Sequence, residues 1–172
     1  MNLKEKALKI KALIFDVDGV LTDAKIGYGG AEEIKFFNAR DGHAIVMALR
    51  VGYKVGMLSG RASEANRKRA ADLKMSFIYE GVPDKKKAFE ELLSKYNLAP
   101  EECLFVGDDL IDIPVLKRVG ISVTVNDASP VLDEFCDFRT MLPGGQGAAQ
   151  EIIVWLLKET GKWNELFQKY LI

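Results

Sequence analysis

"LIFDVDGVLTD", Leu13 to Asp23, runs an apolar segment directly into three carboxylates, Asp16, Asp18 and Asp23. With Lys11 and Ala12 before it, the stretch reads as a buried strand whose end delivers negative charge. Like charges crowded at a strand end repel one another unless a cation sits among them.

Working outward, short apolar runs alternate with helical patterns. Strands are expected at residues 54–60, 76–81, 103–109 and 121–127. Helices are expected at 42–52, 63–74, 84–97, 112–120 and 147–161, with a tail after the last. Continuous apolar strands alternating with helices predict an α/β fold, a parallel sheet with helices on both faces. Residues 23–42 break the rhythm. Gly27, Gly29 and Gly30 lie between two short extended patterns, which predicts a projecting β-hairpin between the first strand and first helix. There is no internal repeat, low-complexity tract or linker, so 1–172 is expected to form a single domain.

Composition narrows the function. The chain has 172 residues, 48% hydrophobic, with a formal net charge of −1. That balance offers no electrostatic footprint for nucleic acid. The lysine-rich start, Lys4 to Lys11, is broken by Glu5 and reads as a solvated amphipathic turn. The apolar segment after it contains two aspartates, unlike a targeting signal. No run is long enough for a membrane helix. Cys103 and Cys136 have neither metal nor redox spacing. A cytoplasmic protein is expected.

Ligands of open α/β sheets sit beyond the carboxyl ends of the strands. The first strand delivers Asp16 and Asp18 there. The second delivers Ser59, Gly60 and Arg61, and the third segment leads to Asp84 and Lys85. The fourth delivers Asp108, Asp109 and then Asp112. Carboxylates without His or Cys ligands suit a hard cation, most plausibly Mg²⁺. Mg²⁺ with a lysine and a serine suggests phosphate chemistry. One carboxylate is then left as nucleophile, and a second, two residues on, could protonate the leaving oxygen and later activate water. Taken singly, each element has a plain reading. D-x-D is common, Asp108–Asp109 could cap a helix, Ser59–Gly60 could be a turn, and Lys85–Lys87 a solvated helix start. The combination, in order and at strand ends, favours function.

These residues also carry a resemblance. "DVDGVLTD" resembles the first motif of the haloacid dehalogenase superfamily, "LSGR" its second, Lys85 its third and "GDDLID" its fourth. The resemblance implies a Rossmann-like fold and a phosphoaspartyl mechanism. By position, Asp16 is the nucleophile and Asp18 the general acid/base. Asp16, the backbone carbonyl of Asp18, and Asp108 would hold Mg²⁺. Asp109 would lie just behind the metal or bind it directly, and Asp112 would orient metal waters or Lys85. Ser59 and Lys85 would bind the phosphoryl group.

Neither the Asp18–Ser59 nor the Ser59–Lys85 interval has room for a folded cap domain. A capless site stays open to water, so a macromolecular substrate or another subunit must cover it. "FNARDGHAI", "GDDLIDIPVLKRVGISVTVNDA" and "PGGQGAAQEI" narrow the resemblance to the capless 3-deoxy-D-manno-octulosonate 8-phosphate phosphatase family. That resemblance implies a small sugar-phosphate substrate, a place in lipopolysaccharide synthesis, and a homotetramer whose subunits close one another's sites. It makes Arg61 and Arg69 candidate carboxylate binders, planar forks suited to that task. Arg69 has the alternative of an exposed helix charge. Thr22 either reaches the substrate or caps a turn. The tail carries Gln146 and Gln150 where the family commonly has basic residues, which weakens any grip on an anion. Asn66 replaces an apolar residue and reads as surface drift. Arg40 and Asp41 resemble the family's "RDG", which implies contact with sugar or a neighbour. His43, alone, stays outside the catalytic set.

A phosphatase of a nine-carbon keto-acid sugar phosphate would share the reacting centre. A signalling receiver is disfavoured, since its acceptor aspartate ends the third strand. A non-catalytic binding module on the same fold would have lost Asp16, Asp18 or Lys85, and all are present.

Overall fold

The computed structural model describes residues 2–30 and 32–171. Its frame is a six-stranded sheet built from β1 (Ala12–Phe15), β4 (Lys54–Leu58), β5 (Phe77–Tyr79), β6 (Cys103–Gly107), β7 (Ile121–Thr124) and β8 (Phe138–Arg139). The order is β5-β4-β1-β6-β7-β8, with every pairing parallel. The quoted strand β1 lies between β4 and β6 and is wholly buried.

Alternation explains why β1 is apolar throughout. Leu13 and Phe15 face one layer, which includes α2 (Ala39–Arg50) and α6 (Ala148–Glu159). Ala12 and Ile14 face the other, with α4 (Lys85–Tyr96) and α5 (Ile113–Leu116). Burying both faces costs the strand any polar side, so its first carboxylates wait until the chain leaves the sheet at Asp16.

The expected hairpin forms from β2 (Gly27–Gly29) and β3 (Glu32–Ile34), antiparallel, with Tyr28 opposite Glu33. Ala31, within the expected hairpin, lies outside the described residues. α3 (Glu64–Asp72) follows "LSGR", capped by Ser63 Oγ accepting from Asn66 N at 3.2 Å.

Several local expectations need correction. The lysine-rich start forms α1 (Leu3–Ala7), closed by a capping box between Asn2 and Glu5, and Ala7 and Ile10 are buried. The segment 112–120 is helical only over α5, after a 3₁₀ turn at Leu110–Asp112. The tail folds back as α7 (Lys162–Gln168), which buries Leu166. β8 has two residues, too few for any periodicity. Asn66 is fully buried, and its amide donates to Arg61 O at 3.3 Å, so it is no surface substitution. Asp41 accepts from Gln150 N at 2.8 Å and Gly147 N at 3.3 Å, capping the start of α6. Among the described residues, no helix is long and apolar enough to cross a membrane.

Candidate active site

The loops leaving β1, β4 and β6 enclose a cleft of about 220 Å³ lined by Asp16, Asp18, Ala24, Ser59, Gly60, Arg61, Asp108, Asp109 and Ile111. Beneath it, Lys85 at the first position of α4 reaches inward. Its Nζ donates to Asp112 Oδ1 at 2.6 Å and lies 3.0 Å from Asp16 Oδ1. Asp112 Oδ2 accepts from Asp108 N at 3.0 Å and Asp109 N at 3.2 Å. One carboxylate thus fixes both the lysine and the acidic loop.

The electrostatics follow from burial. Asp16 is pushed up to about 6, first by desolvation and then by Asp112. Asp108 is pushed up to about 8 by desolvation, then by Asp16 and Asp112. Burial alone would lower Lys85, but Asp16 and Asp112 beside it hold it above the usual lysine value. Three carboxyl groups share one ammonium, so ionising all of them at once is costly, which together with burial is what raises Asp16 and Asp108.

Asp18 is held from an unexpected direction. Lys35, just past β3, donates to Asp18 Oδ1 at 2.6 Å and lies 3.3 Å from Glu33 Oε1. Arg61 Nη2 donates to Glu33 Oε2 at 3.0 Å, and its Nε is 3.9 Å from Asp18 Oδ2. Sequence reasoning missed Lys35 and Glu33. The available signal was their two-residue spacing, which puts both on one face of the hairpin.

The structure gathers Asp16, Asp18, Ser59, Gly60, Arg61, Asp108 and Asp109 around the cleft, with Lys85 and Asp112 behind them. It does not bring Thr22 or Arg69 there. Thr22 is fully buried; its Oγ1 donates to Val17 O at 3.3 Å and accepts from Ala24 N at 3.3 Å, holding the turn after the D-x-D. Arg69 donates to Asn38 O at 3.0 Å and packs over Phe37, tying α3 to the start of α2. Neither lines the cleft within this chain. Asp109 Oδ1 also accepts from Leu110 N at 2.7 Å, so it caps the 3₁₀ turn as well. The tail loop does approach the site. Gly145 N donates to Val20 O at 2.9 Å, but Gln146 is exposed.

Known proteins place this arrangement. Residues 72–152 match the family of haloacid dehalogenase-like hydrolases. The chain is 45% identical to 3-deoxy-D-manno-octulosonate 8-phosphate phosphatase KdsC of Escherichia coli (strain K12), over 93% of this chain and 86% of that protein. The chain belongs to the 3-deoxy-D-manno-octulosonate 8-phosphate phosphatase family. The family's crystal structure from Yersinia pestis superposes with a TM-score of 0.90 at 38% identity, covering 93% of this chain and 87% of that one. The family's enzyme from Moraxella catarrhalis, in complex with magnesium ion, phosphate ion and KDO molecule, superposes at 0.94 with 29% identity, covering 97% of each chain.

This chain's residues fit the hard divalent cation that such a family site implies. Carboxylate oxygens of Asp16, Asp108 and Asp112 lie within 4.8 Å of one another. Asp108 Oδ1 is buried without a hydrogen-bond partner, the state expected of an oxygen awaiting a cation. Asp112 belongs to this cluster by distance, but Lys85 and two backbone amides already engage its oxygens, which suits it to orienting its neighbours. Gly19, at φ +92°, leaves the room Asp108 needs: a Cβ there would lie 1.9 Å from Asp108 Oδ2.

Proposed function

We propose that this chain is an Mg²⁺-dependent phosphatase that converts 3-deoxy-D-manno-octulosonate 8-phosphate to the free sugar acid and phosphate, in lipopolysaccharide synthesis. The observation that carries this reading is Asp16 at the buried end of β1, paired with Lys85 and facing the same cleft as Asp18 and Asp108, in a chain of this family. Asp16 attacks phosphorus, and the ester P–O bond breaks as Asp18 gives its proton to the sugar oxygen. The ionised Asp18 then takes a proton from water as that water attacks the phosphoaspartate. The P–O bond to Asp16 breaks, releasing phosphate and restoring both carboxyl groups.

Ser59 and Lys85 bind the phosphoryl oxygens, and Arg61, half exposed at the cleft, meets the substrate carboxylate. Asp16, Asp108 and the backbone carbonyl of Asp18 hold the metal, with Asp109 beside them. Magnesium, when bound, neutralises the phosphoryl oxygens and the mutual repulsion of the acidic cluster.

The same reading makes 1–172 one domain of a cytoplasmic homotetramer. Only the hairpin, α2 and β4 fill the first interval, and only α3 and β5 the second, so no cap domain lies among the described residues. The hairpin presents exposed Ile26, Tyr28, Ile34 and Phe36, an apolar surface suited to a neighbouring copy.

The test is phosphate release from 3-deoxy-D-manno-octulosonate 8-phosphate, with and without Mg²⁺, by the wild type and Asp16→Asn. Turnover by the wild type with Mg²⁺ alone is expected. Inactivity on this sugar with activity on a nine-carbon keto-acid sugar phosphate would keep the chemistry and change the substrate. Full activity of Asp16→Asn would remove the mechanism.

A further inference from the structure

We propose that Lys35 is a positioning residue that holds the carboxyl group of Asp18 in place for proton transfer to and from the sugar oxygen. The inference rests on the reading of Asp18 as the general acid and base.

Lys35 sits on a projecting hairpin, where a lysine ordinarily reaches into solvent. Its side chain is instead 0% exposed. Lysine is rarely buried to that extent unless paired, and here the pair is Asp18 Oδ1 at 2.6 Å. Glu33 Oε1, 3.3 Å from the same ammonium but not hydrogen-bonded to it, adds a second negative charge that favours keeping the ammonium at the site. Glu33 in turn is tied to Arg61, so Lys35 is braced from the hairpin and from the loop after β4.

Asp18 lies three residues beyond β1, on a loop. Other cations do not replace Lys35: Arg61 Nε is 3.9 Å from Asp18 Oδ2, beyond hydrogen-bond reach. The ammonium holds Oδ1, leaving Oδ2 as the oxygen free to exchange a proton at the cleft. Asp18 lines the cleft and Lys35 does not, so Lys35 acts through Asp18 and not on substrate. Proton transfer needs hydrogen-bond geometry at the reacting oxygen, and a small displacement of a catalytic group costs about 10²-fold in rate.

A positioning role differs from merely anchoring the hairpin in its dependence on the leaving group. A sugar alkoxide needs a proton to depart, whereas p-nitrophenolate does not. Single-turnover phosphoryl transfer is therefore compared for 3-deoxy-D-manno-octulosonate 8-phosphate and p-nitrophenyl phosphate, with Mg²⁺, in wild type, Lys35→Met, Asp18→Asn and the double variant. Lys35→Met is expected to slow transfer from the sugar ester by about 10- to 100-fold, with less than about a 3-fold effect on the nitrophenyl ester. Added to Asp18→Asn, it is expected to change the rate by less than about 2-fold, since its only route of action is already gone.

Equal slowing of both esters, or a full additional loss in the double variant, overturns the inference and leaves Lys35 as a hairpin anchor. Wild-type transfer from the sugar ester by Asp18→Asn overturns the role of Asp18 itself, and so separates failure of that reading from failure of this one. Lys35→Gln is run beside Lys35→Met and carries the same comparison if the methionine variant shows no cooperative melting transition.

Discussion

The ammonium of Lys85 donates to Asp112 Oδ1 at 2.6 Å, with neither side chain more than 2% exposed. The pair ties the start of α4 to the turn after β6, and Asp112 also holds the amides of Asp108 and Asp109. Removing one member of such a pair leaves the other charge buried and unmatched.

Asp112→Ala is therefore expected to destabilise the protein by about 3–5 kcal/mol, measured by urea unfolding. Phosphate release should fall by about 10²-fold or more, because Lys85 and the 108–109 backbone both lose their orientation. Asp112→Asn keeps one acceptor and should lie between the variant and the wild type. A loss below about 1 kcal/mol for Asp112→Ala would mean that the pair is not structural.

The close approach of Gly19 to Asp108 predicts a metal-binding defect without any change of ligand. In Gly19→Ala the new methyl would lie 1.9 Å from Asp108 Oδ2, at a backbone φ of +92°. The carboxylate must move, and the Mg²⁺ concentration for half-maximal phosphate release should rise by about 10-fold or more. An unchanged Mg²⁺ dependence would place the metal away from Asp108.

The raised carboxylates set a pH dependence with a definite sign. Folding lifts Asp16 to about 6 and Asp108 to about 8, from an ordinary value of 3.8. The stability this contributes is complete below pH 3.8 and is lost as pH rises through those values. The metal-free protein should thus melt at a lower temperature at pH 8 than at pH 6. Mg²⁺ favours the ionised carboxylates, so it should raise the melting temperature more at pH 8 than at pH 6. Calorimetry in the two buffers, with chelator and with Mg²⁺, checks both signs.

The hairpin's apolar surface predicts an assembly defect that leaves the fold intact. Phe36 is 79% exposed, so Phe36→Glu should change stability by less than about 0.5 kcal/mol. Light scattering should show the variant as a smaller species than the wild type. If neighbouring subunits close the cleft, its KM for the sugar phosphate should rise with assembly lost. A wild type that is monomeric at assay concentration would remove the tetramer from the proposal.

By itself, the sequence determined five of the six strands of the sheet, all but β8, and the acidic centre. Strands such as Ala12–Phe15 and Cys103–Gly107 are buried on both faces and must be apolar throughout, and the polar residues that end them stand out by contrast. Asp16, Asp18, Ser59, Lys85 and Asp108 could be found because each lies at or just beyond the end of a strand or the start of a helix. Tertiary structure decided what depends on partners distant in sequence. Lys35 meets Asp18 across a hairpin, Asp41 caps a helix more than a hundred residues away, and Arg69 turns to the backbone of Asn38. Thr22 closes its own turn when it could have faced the cleft. An isolated charged or polar residue has no periodicity to reveal its partner. Its role follows from which groups the folded chain places within hydrogen-bond reach and from how much water remains around them.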